Sequence, residues 1–123
     1  MYHEGGFIVQ DEAAQFASEL VSTGHKKNIL DVCAAPGGKT CALIDSLPEL
    51  TSLSALDISK NRLNLLKTNL NRLNFSCRIY QFDATDTGIF TNQIFDSIIL
   101  DAPCSSSGVI RRHPDIKLKK NLD

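Results

Sequence analysis

Four short apolar runs alternate with helical periodicity along this chain, and three of them close on an aspartate. The runs are residues 28–32, 52–56, 78–82 and 95–100, and Asp57, Asp83 and Asp101 follow the last three. Between them, Lys39 to Leu47 fits a helix stopped by Pro48. Leu63, Leu66, Leu70 and Leu73 recur at helical spacing, which predicts an amphipathic helix over 59–73. An earlier face, Ala13, Phe16, Ala17, Leu20 and Val21, predicts a helix between Asp11 as N-cap and Gly24 as stop. Strands alternating with helices imply an α/β fold with a parallel sheet. Right-handed crossovers then bring all strand carboxyl ends to one edge, where open α/β sheets bind ligands. The fourth run is almost continuously apolar and reads as a buried strand.

At 123 residues the chain is at most one domain. With 42% hydrophobic and 22% charged residues it has globular rather than disordered composition. No apolar run approaches the ~20 residues of a membrane span, and the first residues lack the basic and apolar regions of an export signal. A cytoplasmic protein is therefore expected. The four cysteines, at 33, 41, 77 and 104, form no C-x-x-C pair or zinc spacing, so free thiols and no metal are expected. Cys41 and Cys77 read as small buried hydrophobes. The net charge of −1 projects no global basic field. Charge is uneven, however: residues 1–110 carry 8 Lys+Arg against 12 Asp+Glu, and residues 111–123 carry 5 against 2. Arg111, Arg112 and Lys117 belong to that basic tail, which reads as a solvated face or as a phosphate-contacting edge.

Pro36-Gly37-Gly38 makes a sharp turn after the first strand, a position suited to a phosphate or a nucleoside cofactor. Gly38-Lys39-Thr40 matches the tail of a phosphate loop, but the leading glycine would be residue 33, which is Cys33. A P-loop nucleotide-binding protein is thus a disfavoured alternative, and no G-x-G-x-x-G is present. Asp57, 19 residues after Gly38, is placed to accept the hydroxyls of a ribose. It reads equally as a charge at a helix N-terminus. Asp83 is suited to an adenine amino group. Carboxylates without a phosphate cradle favour a cationic adenosyl compound, and S-adenosyl-L-methionine fits. Asp101-Ala102-Pro103-Cys104 follows the fourth strand, and Pro103 restricts the loop that holds the Cys104 thiol.

Cys33-Ala34-Ala35-Pro36-Gly37-Gly38-Lys39-Thr40 together with Asp101-Ala102-Pro103-Cys104-Ser105 resembles the Nop/Sun family of RNA cytosine-C5 methyltransferases. The flanking segments 6–15 and 108–116 are most similar to its bacterial 16S rRNA branch. The resemblance spans nearly the whole chain and implies a Rossmann-like methyltransferase fold using S-adenosyl-L-methionine, with RNA as partner. Carried over residue by residue, it makes Cys33, Ala34, Ala35, Pro36, Gly37, Gly38 and Lys39 the cofactor loop. Asp57 takes the ribose, Asp83 the adenine side and Asp101 the methionine or base side. Arg62 lies near the cofactor or is a solvated helix charge.

In this family a thiolate adds to cytosine carbon 6, which makes carbon 5 able to take the methyl group. The family's nucleophile lies in a later Thr-Cys motif, and the Pro-Cys thiol, here Cys104, assists breakdown of the adduct. None of Cys33, Cys41 and Cys77 is read as sitting in such a segment, so the family's nucleophile is expected to be absent from residues 1–123. Four strands are read where the family has seven, and the family's N-terminal RNA-binding domain is not represented. Residues 1–123 are therefore expected to be part of a methyltransferase catalytic domain. The fourth strand is expected to leave an apolar edge uncovered. Leu118 stands where the family leads one to expect an aromatic residue.

Overall fold

The structure is a computed structural model, and it describes residues 4–7, 9, 15–16, 19–21, 28–47, 52–90 and 92–103. In chain order the elements are β1 (Asn28–Val32), α1 (Gly38–Ser46), β2 (Ser52–Asp57), α2 (Lys60–Arg72), β3 (Arg78–Gln81), a 3-10 turn (Thr87–Phe90) and β4 (Ser97–Leu100). The strands form one sheet in the order β3-β2-β1-β4, and every pairing is parallel. This is the α/β Rossmann-like arrangement expected. The order reverses between β1 and β4, so the switch point lies where the Cys33 loop and Asp101 leave the sheet.

Right-handed crossovers explain what covers each face. The chain steps from β1 to β2 to β3 in one direction, so α1 and α2 lie on the same side. There Ile29, Leu53 and Ile99 pack with Leu43 and Leu47, while Ala55 packs with Leu63, Leu66 and Leu70. Leu73 packs partly buried beside them, so the leucine stripe read from the sequence faces the core. Ser59 caps α2, its hydroxyl accepting from the Arg62 amide at 3.4 Å.

The step from β3 back to β4 runs the other way and crosses the opposite face. Leu30, Val32 and Leu56 meet Tyr80, Phe82, Phe90 and Phe95 there. Phe90 stands edge-to-face with both Tyr80 and Phe95, at 5.7 and 5.3 Å between ring centres.

β1 and β2 are buried on both faces, as central parallel strands should be. β4 differs from the buried strand read from its composition. Only Ile99 is buried; Ile98 and Leu100 are 60% and 65% exposed. Among the described residues β4 is an edge of the sheet, and an apolar cavity of about 380 Å³ opens over this face between Leu56, Phe90, Phe95 and Leu100. The uncovered apolar surface expected at the fourth strand is thus present.

β4 starts at Ser97 rather than at residue 95 because Asp96 acts as its lead-in. The Asp96 carboxylate accepts from the Asn28 amide at 2.8 Å, and the Asp96 amide donates to the Asn28 carbonyl at the same distance. β3 ends at Gln81, although the Phe82 amide still donates to the Asp57 carbonyl. Of the helix expected near the N-terminus, residues 15–16 and 19–21 are helical. Its proposed cap and stop, Asp11 and Gly24, lie outside the described residues, as does Pro48.

Candidate functional site

The loop after β1 is held mostly by backbone geometry and side-chain anchors from other elements. Cys33 has φ of 59° and Gly37 φ of 102°. A Cβ on Gly37 would stand 2.4 Å from the Leu66 Cδ1, so this position needs glycine both for its torsion and for space. The Ala35–Pro36 peptide is cis. The Ala34 and Ala35 side chains are buried in the core beside the α2 leucines rather than turned to a crevice. Their amides are also engaged: Ala34 donates to the Leu56 carbonyl at 2.9 Å, and Ala35 to Asp57 Oδ2 at 3.3 Å. Pro36 is exposed, while Gly38 and Lys39 are partly buried at the start of α1.

Asp57 closes β2 and is 2% exposed. Its Oδ2 accepts from Ala35 and faces Arg62 Nη1 at 3.3 Å; its Oδ1 accepts from the Ser59 amide at 2.9 Å. Three donors thus meet a carboxylate whose two oxygens offer about four lone-pair sites. Arg62 also donates to the Ala35 carbonyl. Its side chain is therefore more than a solvated helix charge: it joins the loop to the β2 carboxylate.

Asp83 is exposed, and its Oδ1 accepts from both the amide and the hydroxyl of Thr85, at 2.9 and 2.8 Å. Those bonds, led by the backbone one, hold its carboxyl below the usual carboxylate range. A cavity of about 340 Å³ brings the strand ends together. Cys33, Asp57, Asp83 and Ala102 reach it from four separate segments, and Phe82 and Leu100 supply apolar wall. Asp101 does not line it but sits beside it. The Asp101 carboxylate accepts from Lys39 Nζ at 2.5 Å, linking α1 to the end of β4. The aspartates that end β2, β3 and β4 therefore do converge on the rim that carries the Pro36 turn.

A carboxylate that the sequence reading passed over lies beneath this rim. Asp31 in β1 is 1% exposed, and the Thr40 hydroxyl donates to its Oδ2 at 2.6 Å. Burial pushes its pKa up from 3.8 to about 6, against the lowering effects of the Thr40 bond and of Lys39. An acid at an interior position of an otherwise apolar strand was the available signal. Asn69, whose amide reaches the Pro36 carbonyl at 2.9 Å, carried none beyond its place on α2.

The thiols divide by environment. Burial raises all three described ones: Cys41 to about 11, Cys77 to about 12, and Cys33 with the Asp57 charge adding to the effect of burial. Thr40-Cys41 is a Thr-Cys pair by letters. Its thiol is fully buried in the core and its threonine is bonded to Asp31, which makes it a packing element. Cys104, Arg111, Arg112 and Lys117 lie outside the described residues. Among the described residues no group of His, Cys, Asp and Glu could hold a metal ion, and no helix is long and apolar enough to cross a membrane.

Comparison with known proteins agrees with the motifs. The chain is 46% identical over 123 residues to ribosomal RNA small subunit methyltransferase B of Pseudomonas syringae pv. tomato, covering 99% of this chain and 28% of that protein. The same enzyme of Shewanella oneidensis is 46% identical over 125 residues, covering 100% and 29%. The chain thus spans under a third of the length of these relatives. Among solved structures, NSun6 from Pyrococcus horikoshii with SFG superposes with a TM-score of 0.73 at 33% identity, over 85% of this chain and 27% of that one. A methyltransferase homolog protein from the same organism gives 0.75 at 31% identity, over 94% and 38%. The resemblance to the bacterial 16S rRNA branch is borne out. A family model described as 16S rRNA methyltransferase RsmB/F matches residues 19–123, and the chain belongs to that family.

Proposed function

We propose that this chain is the cofactor-binding part of an S-adenosyl-L-methionine-dependent 16S rRNA cytosine-C5 methyltransferase. The observation that carries the reading is the cavity of about 340 Å³ at the carboxyl ends of the strands, with Asp57 and Asp83 on its wall and no phosphate-loop glycine at Cys33. Carboxylates and apolar wall suit a cationic adenosyl group better than a polyphosphate. When bound, that cofactor supplies a methyl group on a sulfonium.

In this reading the open lone pair of Asp57 takes a ribose hydroxyl, and Asp83, held ionised by Thr85, accepts on the adenine side. The loop from Cys33 to Lys39, including Ala34, Ala35, Pro36, Gly37 and Gly38, walls the cofactor through its backbone. Arg62 fixes Asp57 against that loop. Asp101 faces the methionine end or the target base and hydrogen-bonds the cytosine edge. Cys104, which follows Pro103 in the sequence, assists release of the covalent adduct. The thiolate that attacks carbon 6 belongs to a later Thr-Cys motif, distinct from the buried Thr40-Cys41 pair. Arg111, Arg112 and Lys117 contact RNA phosphates, and the target cytosine is unstacked to expose carbon 6. Residues 1–123 are then a partial catalytic domain that binds cofactor weakly and does not turn over alone.

Calorimetric titration with S-adenosyl-L-methionine, and incubation with tritiated cofactor and rRNA, test this reading. The expected result is weak binding that is lost in Asp57→Ala, with no methyl transfer. Transfer abolished by Cys104→Ser would make Cys104 the nucleophile. Tight ATP binding without response to the methyl donor would replace the reading with the P-loop alternative.

A further inference from the structure

We propose that one stripe of α2, Arg62–Leu66–Asn69, is a positioning face that sets the conformation of the Cys33–Lys39 loop and thereby its affinity for the methionine end of the cofactor. The cofactor clause rests on the function proposed above, in which Asp101, bonded to Lys39 of this loop, faces the methionine end or the target base; the positioning clause rests on geometry alone. Residues 62, 66 and 69 stand at i, i+4 and i+7, one line along the helix. They meet three successive loop residues. Arg62 Nη2 donates to the Ala35 carbonyl, Asn69 Nδ2 donates to the Pro36 carbonyl at 2.9 Å, and the fully buried Leu66 fills the space a Gly37 side chain would need.

The consequence is directional. Carbonyls engaged by α2 are withdrawn from the ligand side, and the loop inside them is closed by the Gly37 amide donating to the Ala34 carbonyl at 2.8 Å. Arg62 then couples this arrangement to Asp57 at 3.3 Å, so loop and carboxylate are set by a single guanidinium. A bare loop with two positive-φ residues has many accessible conformations, and fixing it before the ligand arrives removes an ordering cost from binding. Arg62 and Asn69 are only partly buried, so changing them leaves the leucine core in place.

Asn69→Asp is the diagnostic change because it keeps the shape and removes the donor. Two measurements on the whole chain test the proposal. In the ligand-free protein, amide exchange at Gly37 should rise about tenfold in Asn69→Asp and in Arg62→Lys, while exchange at Leu70 stays as in wild type. In ligand-observed NMR titrations, Asn69→Asp should weaken S-adenosylhomocysteine several-fold and leave adenosine within twofold, since adenosine lacks the methionine end. Unchanged Gly37 exchange in both variants overturns the positioning role. Equal weakening of both ligands, or of neither, overturns its link to the methionine end. Wild-type protein that binds neither ligand overturns the cofactor clause together with the function proposed above, and the exchange result still decides the positioning clause.

Discussion

Lys39 Nζ lies 2.5 Å from Asp101 Oδ2, so the first turn of α1 is tied to the residue that follows β4 across the switch point of the sheet. The pair is partly open to water, with the aspartate side chain 61% exposed. Solvent screening limits such a pair to about 0.5 kcal/mol, and a cation in the first turn of a helix works against the helix dipole. Lys39→Met should therefore change the urea unfolding free energy by no more than about 0.5 kcal/mol. A loss above about 2 kcal/mol would show that the pair holds the fold together.

Asp31 makes stability depend on pH with a sign opposite to that of a typical paired carboxylate. Its pKa stands at about 6 in the folded chain against an ordinary 3.8. Between those values the native state binds the extra proton, so stability is full below about pH 4 and falls as pH rises through 6. A shift of this size corresponds to about 3 kcal/mol. Asp31→Asn keeps an acceptor for Thr40 and removes the titration. Urea unfolding from pH 4 to 7 should show the wild type losing up to about 3 kcal/mol relative to the variant, and a constant difference would contradict this.

Gly37 and Leu66 form a lock in which neither can change alone. Gly37→Ala forces a side chain into φ of 102° and against the Leu66 Cδ1, and should cost about 2–3 kcal/mol. Leu66→Ala, at a fully buried site, should cost about 2–5 kcal/mol. The double variant should be less destabilised than the sum of the two, because the cavity receives the new methyl group. Strict additivity in denaturant titrations would mean that the two residues do not meet.

The thiols should label in an order set by burial. Cys41 is fully buried with a pKa near 11, and Cys77 is half-buried near 12. Cys33 lines the cavity at the strand ends. At pH 8, mass-resolved alkylation should modify Cys33 first of these three, and Cys41 only on unfolding. Early reaction at Cys41 would be incompatible with its place under α2.

Ile98 and Leu100 present apolar side chains on an edge strand of the described sheet. Such an edge favours self-association. The Ile98→Lys, Leu100→Lys variant should sediment as a smaller species than wild type at the same concentration, with its circular dichroism unchanged. Equal sedimentation of the two would remove this face from the interface.

Much of this architecture was legible because periodicity and strand ends are local signals. Leu63, Leu66 and Leu70 announce α2, and the aspartates at the ends of β2, β3 and β4 mark the rim. What stayed hidden depends on contacts between distant segments. Arg62 meeting Ala35 spans 27 residues and Asn69 meeting Pro36 spans 33, with no local pattern to report either. The turn Thr87–Phe90 is too short for a period, and the apolar run of β4 could not disclose that Ile98 and Leu100 face outward. Ala34 and Ala35 read as ligand loop by motif, yet their side chains belong to the core, because the loop must dive under α2 to deliver Gly37 to Leu66.

The central strand pairs on one side with β4, and their first bond joins residues 68 positions apart. Closing so long a loop is slow compared with the neighbouring β1–β2 pairing. During synthesis, β1 must therefore wait, with one side unzipped, until β4 has cleared the ribosome. The ligand rim is consequently among the last parts of this sheet to exist, and the nascent chain is most vulnerable to wrong partners while its future centre is still a boundary.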